Sequence, residues 1–448
     1  MKYNKVKTVV TIGPASDSYE AIKGLMTSGA DVFRLNLSHG NAAYFRKVIS
    51  RIRKAERELS RRITVFFDLP GPKLRTGKVH GERMQIKEGS EYTLGKKGQI
   101  DVSNDIIRRI NPRNKILLSD GKIELEPIKK DGNLLVVRAL NNGLLYNEQS
   151  INFKGISYPG KYPTKRDVAG IALGKKLGIR TFALSFVSSG RDVARVRALA
   201  GKDAVLIAKI ERVEAVKRFE EIVNEADVIM VARGDLGLNM DIAEVPEIQK
   251  KLITSANEHS KPVITATQML ESMTNNIMPT RAEADDVFTA ISEGTDAVML
   301  SEETAIGDYP LKAVKMLVHI ISRYKYRQYE ERKYRIRDEY EAIIDALADL
   351  SLKSKIEKVM AVTIDGKSVL RLSRYDLPIE IFALTSSDTT LDNLSFARGV
   401  VATKVPSMRG LNKTFATIAE RNRIEKAIVV SALSRSYNST ESIRIMSF

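Results

Sequence analysis

A chain of 448 residues, 43% of them hydrophobic, can bury a large core and divide into two or three domains. With no cysteine it has no disulfide framework, thiolate metal site or cysteine nucleophile, and no apolar run reaches the roughly 18 residues that span a bilayer, so the expectation is a cytoplasmic protein without membrane contact. A formal net charge of +17 favours an anionic partner; the basic residues of 46–62 and 321–337 sit among Glu or at helical spacing, as on solvated helices, and no basic run with interleaved aromatics resembles a nucleic-acid module.

Residues 6–12 form a first predicted strand, closed by Gly13 and Pro14, and a helix beginning at Tyr19 ends near Gly29. The second strand, 31–37, carries Arg34 and Asn36 two apart, with Ser38 next in the same register and therefore on one side; His39 follows. A long helix over 42–59 leads to a third strand at 63–68, ending in Asp68. From Gly71 to about Tyr162 the pattern changes to short segments alternating at period two, the signature of a small all-β module inserted at a strand's carboxyl end, where it hangs over a site as a lid. Strands interleaved with helices resume at 181–187, 205–210, 227–232, 262–267 and 296–301, and eight such units predict a (β/α)8 barrel. Beyond a charged helix near 321–337, a helix at 341–352 and strands at 359–363, 379–384, 427–430 and 442–446 predict a separate α/β unit.

In such a barrel every strand's carboxyl end reaches one face, so Arg34, Asp68, Ser185, Lys209, Glu211, Asp235 and Thr267 are expected around one pocket. Lys209 and Glu211, two apart, emerge together from the fifth strand, and the sixth ends in Arg233, Gly234 and Asp235. Arg34, Lys209 and Arg75 would supply fixed positive charge, and Glu211 and Asp235 hard oxygen ligands for a divalent cation: equipment for phosphoryl transfer. The residues alone leave a second reading open, in which the charges are an ion-pair network closing the barrel mouth and Thr267 a rim hydroxyl bonded to backbone.

The runs KTVVTIGPAS (7–16), SGADVFRLNLSHG (28–40), DLPGPKLRTG (68–77), LSDGKIEL (118–125), AKIER (208–212), DVIMVARGDLG (227–237), KPVITATQMLESM (261–273), PTRAEADDV (279–287), MLSEETAIGDYP (299–310) and TESIRI (440–445) resemble, in order and over the whole length, the pyruvate kinase family. The resemblance implies a barrel at 1–70 and 163–332, a β lid at 71–162 and a carboxyl-terminal α/β regulatory domain at 333–448, assembled as a homotetramer that converts phosphoenolpyruvate and ADP to pyruvate and ATP. It implies that Lys209, Arg34 and Thr267 are catalytic, with Lys209 on the transferring phosphate and Thr267 on the proton path, and that Glu211 and Asp235 hold Mg2+ or Mn2+. Substrate would meet Arg34, Ser185, Lys209, Ala232, Arg233, Gly234, Asp235 and Thr267, with the Gly234 N–H on its carboxylate, and the nucleotide Pro14, Asn36, His39, Tyr44 and Arg75. Many members bind K+ at the positions of Asn36, Ser38, Asp68 and the Leu69 carbonyl beside a Glu; Lys73 stands at that Glu position, which resembles the K+-independent branch, its ammonium filling the cation's place.

Other departures concern the lid and regulation. Glu148, Gln149, Ser150, Ile151 and Asn152 replace a Lys-Lys-Gly-Val-Asn run, Pro159 stands where an aspartate is usual, and Glu302 where Gly is usual. At 363–368 Asp365 would repel the phosphate of an effector, leaving Lys367 and Ser368 as its donors, or an ordinary turn. The rival readings are another barrel enzyme acting on phosphoenolpyruvate or pyruvate, and a catalytically idle basic barrel that binds RNA.

Overall fold

A computed structural model describes residues 5–79, 81–110, 114–153, 162–324, 334–407, 411–431 and 442–448. Eight strands, β1 (Lys7–Ile12), β2 (Val32–Asn36), β3 (Thr64–Leu69), β4 (Thr181–Leu184), β5 (Val205–Ile210), β6 (Val228–Ala232), β7 (Val263–Ala266) and β8 (Ala297–Leu300), pair in parallel and in sequence order to close a barrel. Their continuous apolar runs fit a sheet buried on both faces: Val9, Phe66, Ile207, Met230, Ile264 and Met299 fill the interior, while Leu35, Phe67, Leu206 and Val298 pack outward under the helices. Local signals set the crossover helices. Ser18 caps the helix Tyr19–Ser28 by accepting from the Ala21 N–H, Gly29 ends it at φ 114°, and Asn41 caps Ala42–Leu59 in the same way as Ser18.

Of the four barrel strands that stop short of their expected ends, two do so for one reason. Residues 181–187 form a strand only to Leu184, and 262–267 only to Ala266, because Phe186 and Thr267 turn to φ 61° and 69°. A β-branched residue at positive φ is a steric outlier that surrounding contacts must hold. Both residues lie on the rim of the candidate site.

Between β3 and β4 a five-stranded antiparallel sheet, in the order Ile151–Phe153, Ile116–Leu118, Ile123–Asp131, Leu134–Ala139 and Glu91–Leu94, packs over its own core of Ile86, Leu94, Ile116, Leu125 and Val137. It meets the barrel where a Cβ on Gly121 would lie 2.7 Å from the Leu238 side chain. The carboxyl-terminal sheet has five strands: β9 (Lys358–Val362), β10 (Glu380–Thr385), β11 (Val400–Lys404), β12 (Lys426–Ser431) and β13 (Ser442–Ser447), in the order β11-β10-β9-β12-β13 with only the last pairing antiparallel. Strand β11 was not expected; its apolar run is only Val400, Val401 and Ala402, and Val401 to Thr403 are half-buried. The helix expected near 321–337 ends at Arg323, and 325–333 lie outside the described residues, as do Pro159 and the start of TESIRI.

The carboxyl-terminal unit closes the amino end of the barrel. Phe396 is fully buried among the interior residues, its ring 6.1 Å from that of Phe66, and Arg398, also fully buried, lies 3.3 Å from Asp296 and 3.5 Å from Asp376.

Candidate active site

At the carboxyl face, β2, β3, β4 and β5 bring five side chains into direct contact. The Lys209 ammonium lies 2.8 Å from Glu211 Oε1, donates to Ser185 Oγ at 2.8 Å and is 3.4 Å from both oxygens of Asp68. Ser185 Oγ donates to Asp68 Oδ1 at 3.2 Å, and Arg34 grips Asp68 Oδ2 with Nε at 2.8 Å and Nη2 at 2.7 Å. Thr11 completes the ring by accepting from Arg34 Nη1 at 3.2 Å, a contact the sequence did not single out. The strands dictate this meeting: Arg34 pairs in register with Thr11 and Phe66, and Asn36 with Asp68.

Burial sharpens the electrostatics. Burial pulls the Lys209 ammonium towards neutrality, but the Asp68 and Glu211 carboxylates outweigh it and hold its pKa above the ordinary lysine value. Asp68 is opposed by burial too, yet Lys209 and Arg34 keep its carboxyl below the usual range. Glu211, fully buried, is pushed up, first by burial and then by nearby Asp235, and Lys209 does not offset both. Its Oε2 accepts from the Phe186 N–H at 2.6 Å, while Oε1 faces the Lys209 ammonium at 2.8 Å. Glu211 and nearby Asp235 together offer the hard oxygen donors that suit a divalent cation.

Across the pocket, the helix Arg233–Asn239 starts where β6 ends at Ala232. The Gly234 N–H donates to Thr267 Oγ1 at 2.8 Å, and that hydroxyl donates to the Ala266 carbonyl at 2.6 Å. Arg233 pairs with Asp286 at 2.6 Å and donates to the Thr267 carbonyl at 2.7 Å, so its guanidinium fixes the loop that carries Thr267. Asn239 Nδ2 bridges the carbonyls of Glu211 and Asp235 at 3.0 and 2.8 Å, tying the two carboxylate-bearing segments together. Glu303, buried after β8, accepts from the Leu270 and Ser301 N–H groups at 3.1 and 2.7 Å and braces the same rim.

Lys73 departs from expectation. Its ammonium lies 3.1 Å from Asp120 of the lid and 3.4 Å from Asp235, which together raise its pKa against burial, and it makes no contact with Asn36, Ser38 or Asp68 among the described residues. Asp120, which follows the strand Ile116–Leu118 of the inserted module, and Asp235 bracket that ammonium. Asn36 Oδ1 instead accepts from the Ser38 N–H at 3.0 Å, and Leu69 is buried at the end of β3. Of the expected nucleotide positions, Pro14, His39 and Arg75 are exposed, Arg75 donating to the Glu148 carbonyl at 2.9 Å, and Tyr44 is half-buried, its pKa pushed up to about 12 by burial and by Asp17.

Comparison with known proteins settles the kinship. Residues 3–314 match the family model "Pyruvate kinase, barrel domain" and residues 341–446 "Pyruvate kinase, alpha/beta domain". The chain belongs to the pyruvate kinase family. Pyruvate kinases of Thermococcus litoralis and Geobacillus stearothermophilus are 38% and 39% identical to it over 417 and 422 residues, which cover 89% and 90% of this chain and 88% and 72% of those relatives. One of Thermotoga maritima is 34% identical over 459 residues, 98% of each chain. Kinship with these enzymes makes the chain a phosphotransferase. Among the described residues no helix is long and apolar enough to cross a membrane.

Proposed function

We propose that the enzyme transfers phosphate from phosphoenolpyruvate to ADP, giving pyruvate and ATP. The observation that carries this reading is the Lys209 ammonium, held cationic by Asp68 and Glu211 within a ring that also contains Arg34. In the reaction the bond from phosphorus to the enol oxygen breaks, an oxygen of the ADP terminal phosphate takes the phosphoryl group, and the enolate carbon gains a proton. Lys209 and Arg34 are two fixed cations for the charge that spreads over the equatorial phosphate oxygens. The Gly234 N–H, which donates to Thr267 Oγ1 in this structure, would turn to the substrate carboxylate, and Thr267 would then be released to lie on the path of the proton.

Glu211 and Asp235 would hold Mg2+ or Mn2+, which when bound would polarise the reacting oxygens as a Lewis acid. Two carboxylates as the protein's share would suit an ion that retains several of its waters. Independence from K+ is proposed on a changed ground: both Asp68 oxygens are already engaged by Arg34, Ser185 and Lys209, and Asn36 by Ser38. The homotetramer and the cytoplasmic location rest on the family and on composition.

A coupled assay for ADP-dependent pyruvate formation tests the activity, with phosphoenolpyruvate and Mg2+ in tetramethylammonium buffer. Turnover that rises less than about twofold on adding K+ is expected; no turnover with K+ present would refute the function, and turnover only with K+ would refute the monovalent-cation reading.

A further inference from the structure

Glu211 and Asp235 lie on different elements, the loop that follows β5 and the first turn of the helix Arg233–Asn239, and their side chains are held unequally. The Glu211 carboxylate is fully buried and is fixed by the Phe186 N–H at 2.6 Å and the Lys209 ammonium at 2.8 Å. The Asp235 carboxylate is partly exposed, and its one hydrogen bond among the described residues comes from the Lys73 ammonium at 3.4 Å. The helix that carries it has seven residues and no side-chain cap at its start, a length that is marginal without tertiary ties.

Asn239, the last residue of that helix, supplies such a tie. Its Nδ2 donates one hydrogen to the Asp235 carbonyl at 2.8 Å and the other to the Glu211 carbonyl at 3.0 Å. An amide that only closed its own helix would need the first of these bonds, since Asp235 is four positions back. The second bond reaches 28 positions back, to a different element. An amide nitrogen has two hydrogens, so both are committed to the backbones of the two carboxylate-bearing residues.

We propose that Asn239 is a positioning residue for the divalent cation: by holding the Glu211 and Asp235 backbones to one amide group, it keeps the two carboxylates at a separation that a single ion can bridge. The proposal rests on the reading that Glu211 and Asp235 hold Mg2+ or Mn2+. Groups that orient metal ligands without touching the ion contribute roughly ten- to a hundredfold in affinity. Asn239 acts through the two backbones alone, so its loss raises the metal concentration the enzyme needs. The chemical step, which Lys209 and Arg34 serve, then keeps its rate once the ion is bound.

The probe is Mn2+, titrated into the full chain without substrate, with the free ion measured by electron paramagnetic resonance. Asn239→Leu, which keeps much of the side-chain shape and removes both donors, is expected to bind Mn2+ about tenfold more weakly than the wild type. Asn239→Ala, which adds no apolar bulk to the rim, should weaken binding by a similar factor. In the coupled assay the half-saturating Mn2+ concentration should rise in step, while kcat at saturating Mn2+ returns to within about twofold of the wild type. Asp235→Asn is the control and should abolish binding. If Asp235→Asn binds like the wild type, the ion sits elsewhere, and the reading of the two carboxylates falls together with the proposal. Binding lost in Asp235→Asn but kept within about twofold in both Asn239 variants would overturn the proposal alone. So would a kcat that saturating Mn2+ fails to restore, since Asn239 would then be a general brace of the rim.

Discussion

Lys209 is buried, charged and shared between two carboxylates, which makes its replacement costly for chemistry and informative about stability. Lys209→Met should cut kcat by about a thousandfold or more, the scale on which a preorganised charge-stabilising donor acts, with a smaller change in KM. Steady-state rates with circular dichroism as a folding control would check this; a loss under tenfold would leave Lys209 a structural counter-ion. Asp68 sets the response to acid. Its pKa is lowered in the folded state, so the unfolded chain holds the proton more tightly. The stability it contributes is therefore complete above its ordinary value near 3.8 and is lost as pH falls through the lower folded value. Melting temperatures should fall as pH drops below about 4, and Asp68→Asn should flatten that limb at the expense of stability near neutrality. Both residues were legible in the sequence because strand geometry alone sends the i and i+2 side chains to one rim. The direction of Lys73 was not: a long side chain on a loop is aimed by whatever carboxylates the lid presents, and local spacing carries no sign of Asp120. Asn239 was missed for a related reason, since its amide bonds only backbone carbonyls and nothing in its sequence context marks it.

Individual elements place the ring through their ends. The turn after β3 passes so close to the end of β4 that a Cβ on Gly71, itself at φ 61°, would lie 2.3 Å from the Ser185 carbonyl oxygen, and its N–H is taken by Asp167 at 2.9 Å. Neither backbone can yield without moving Ser185, which touches both Lys209 and Asp68. Gly71→Ala should therefore cost about 2–4 kcal/mol in stability, from left-handed strain plus overpacking, and lower kcat as well. Urea midpoints and initial rates test the two together; a stable variant with full kcat would mean that the β3 turn does not position Ser185. The barrel strands could be read because their apolar runs are long and bounded by Gly, Pro or charge. Their last residues could not, because Phe186 and Thr267 leave extended geometry under tertiary contacts, the Glu211 carboxylate for one and the Gly234 N–H for the other. Strand β11 escaped because its apolar run, Val400 to Ala402, is short and most of the strand is only half-buried.

For the molecule as a whole, the order of barrel, inserted lid and α/β unit follows from pattern changes along the chain, but the packing of the last unit against the barrel does not. Arg398, though charged, is fully buried, and Phe396, between the helix Asp388–Leu394 and β11, enters the barrel interior. Residues from distant elements complete that floor, a contact invisible to local periodicity. Phe396 packs on Phe66, which pairs in register with Arg34 and stands two residues before Asp68 on β3. Removing the aromatic ring should open a cavity beneath the side chains gathered around Lys209 as well as loosening the seam between the units. Phe396→Ala is expected to lose about 3–5 kcal/mol and to reduce kcat, whereas Phe396→Leu, which keeps most of the volume, should recover the larger part of both. Chemical denaturation followed by circular dichroism, with kcat measured on the same samples, separates the outcomes. If Phe396→Ala lost stability but kept its kcat, the floor would be a structural plug with no influence on β3; a stability loss below about 1 kcal/mol would mean the ring is not packed in the barrel at all.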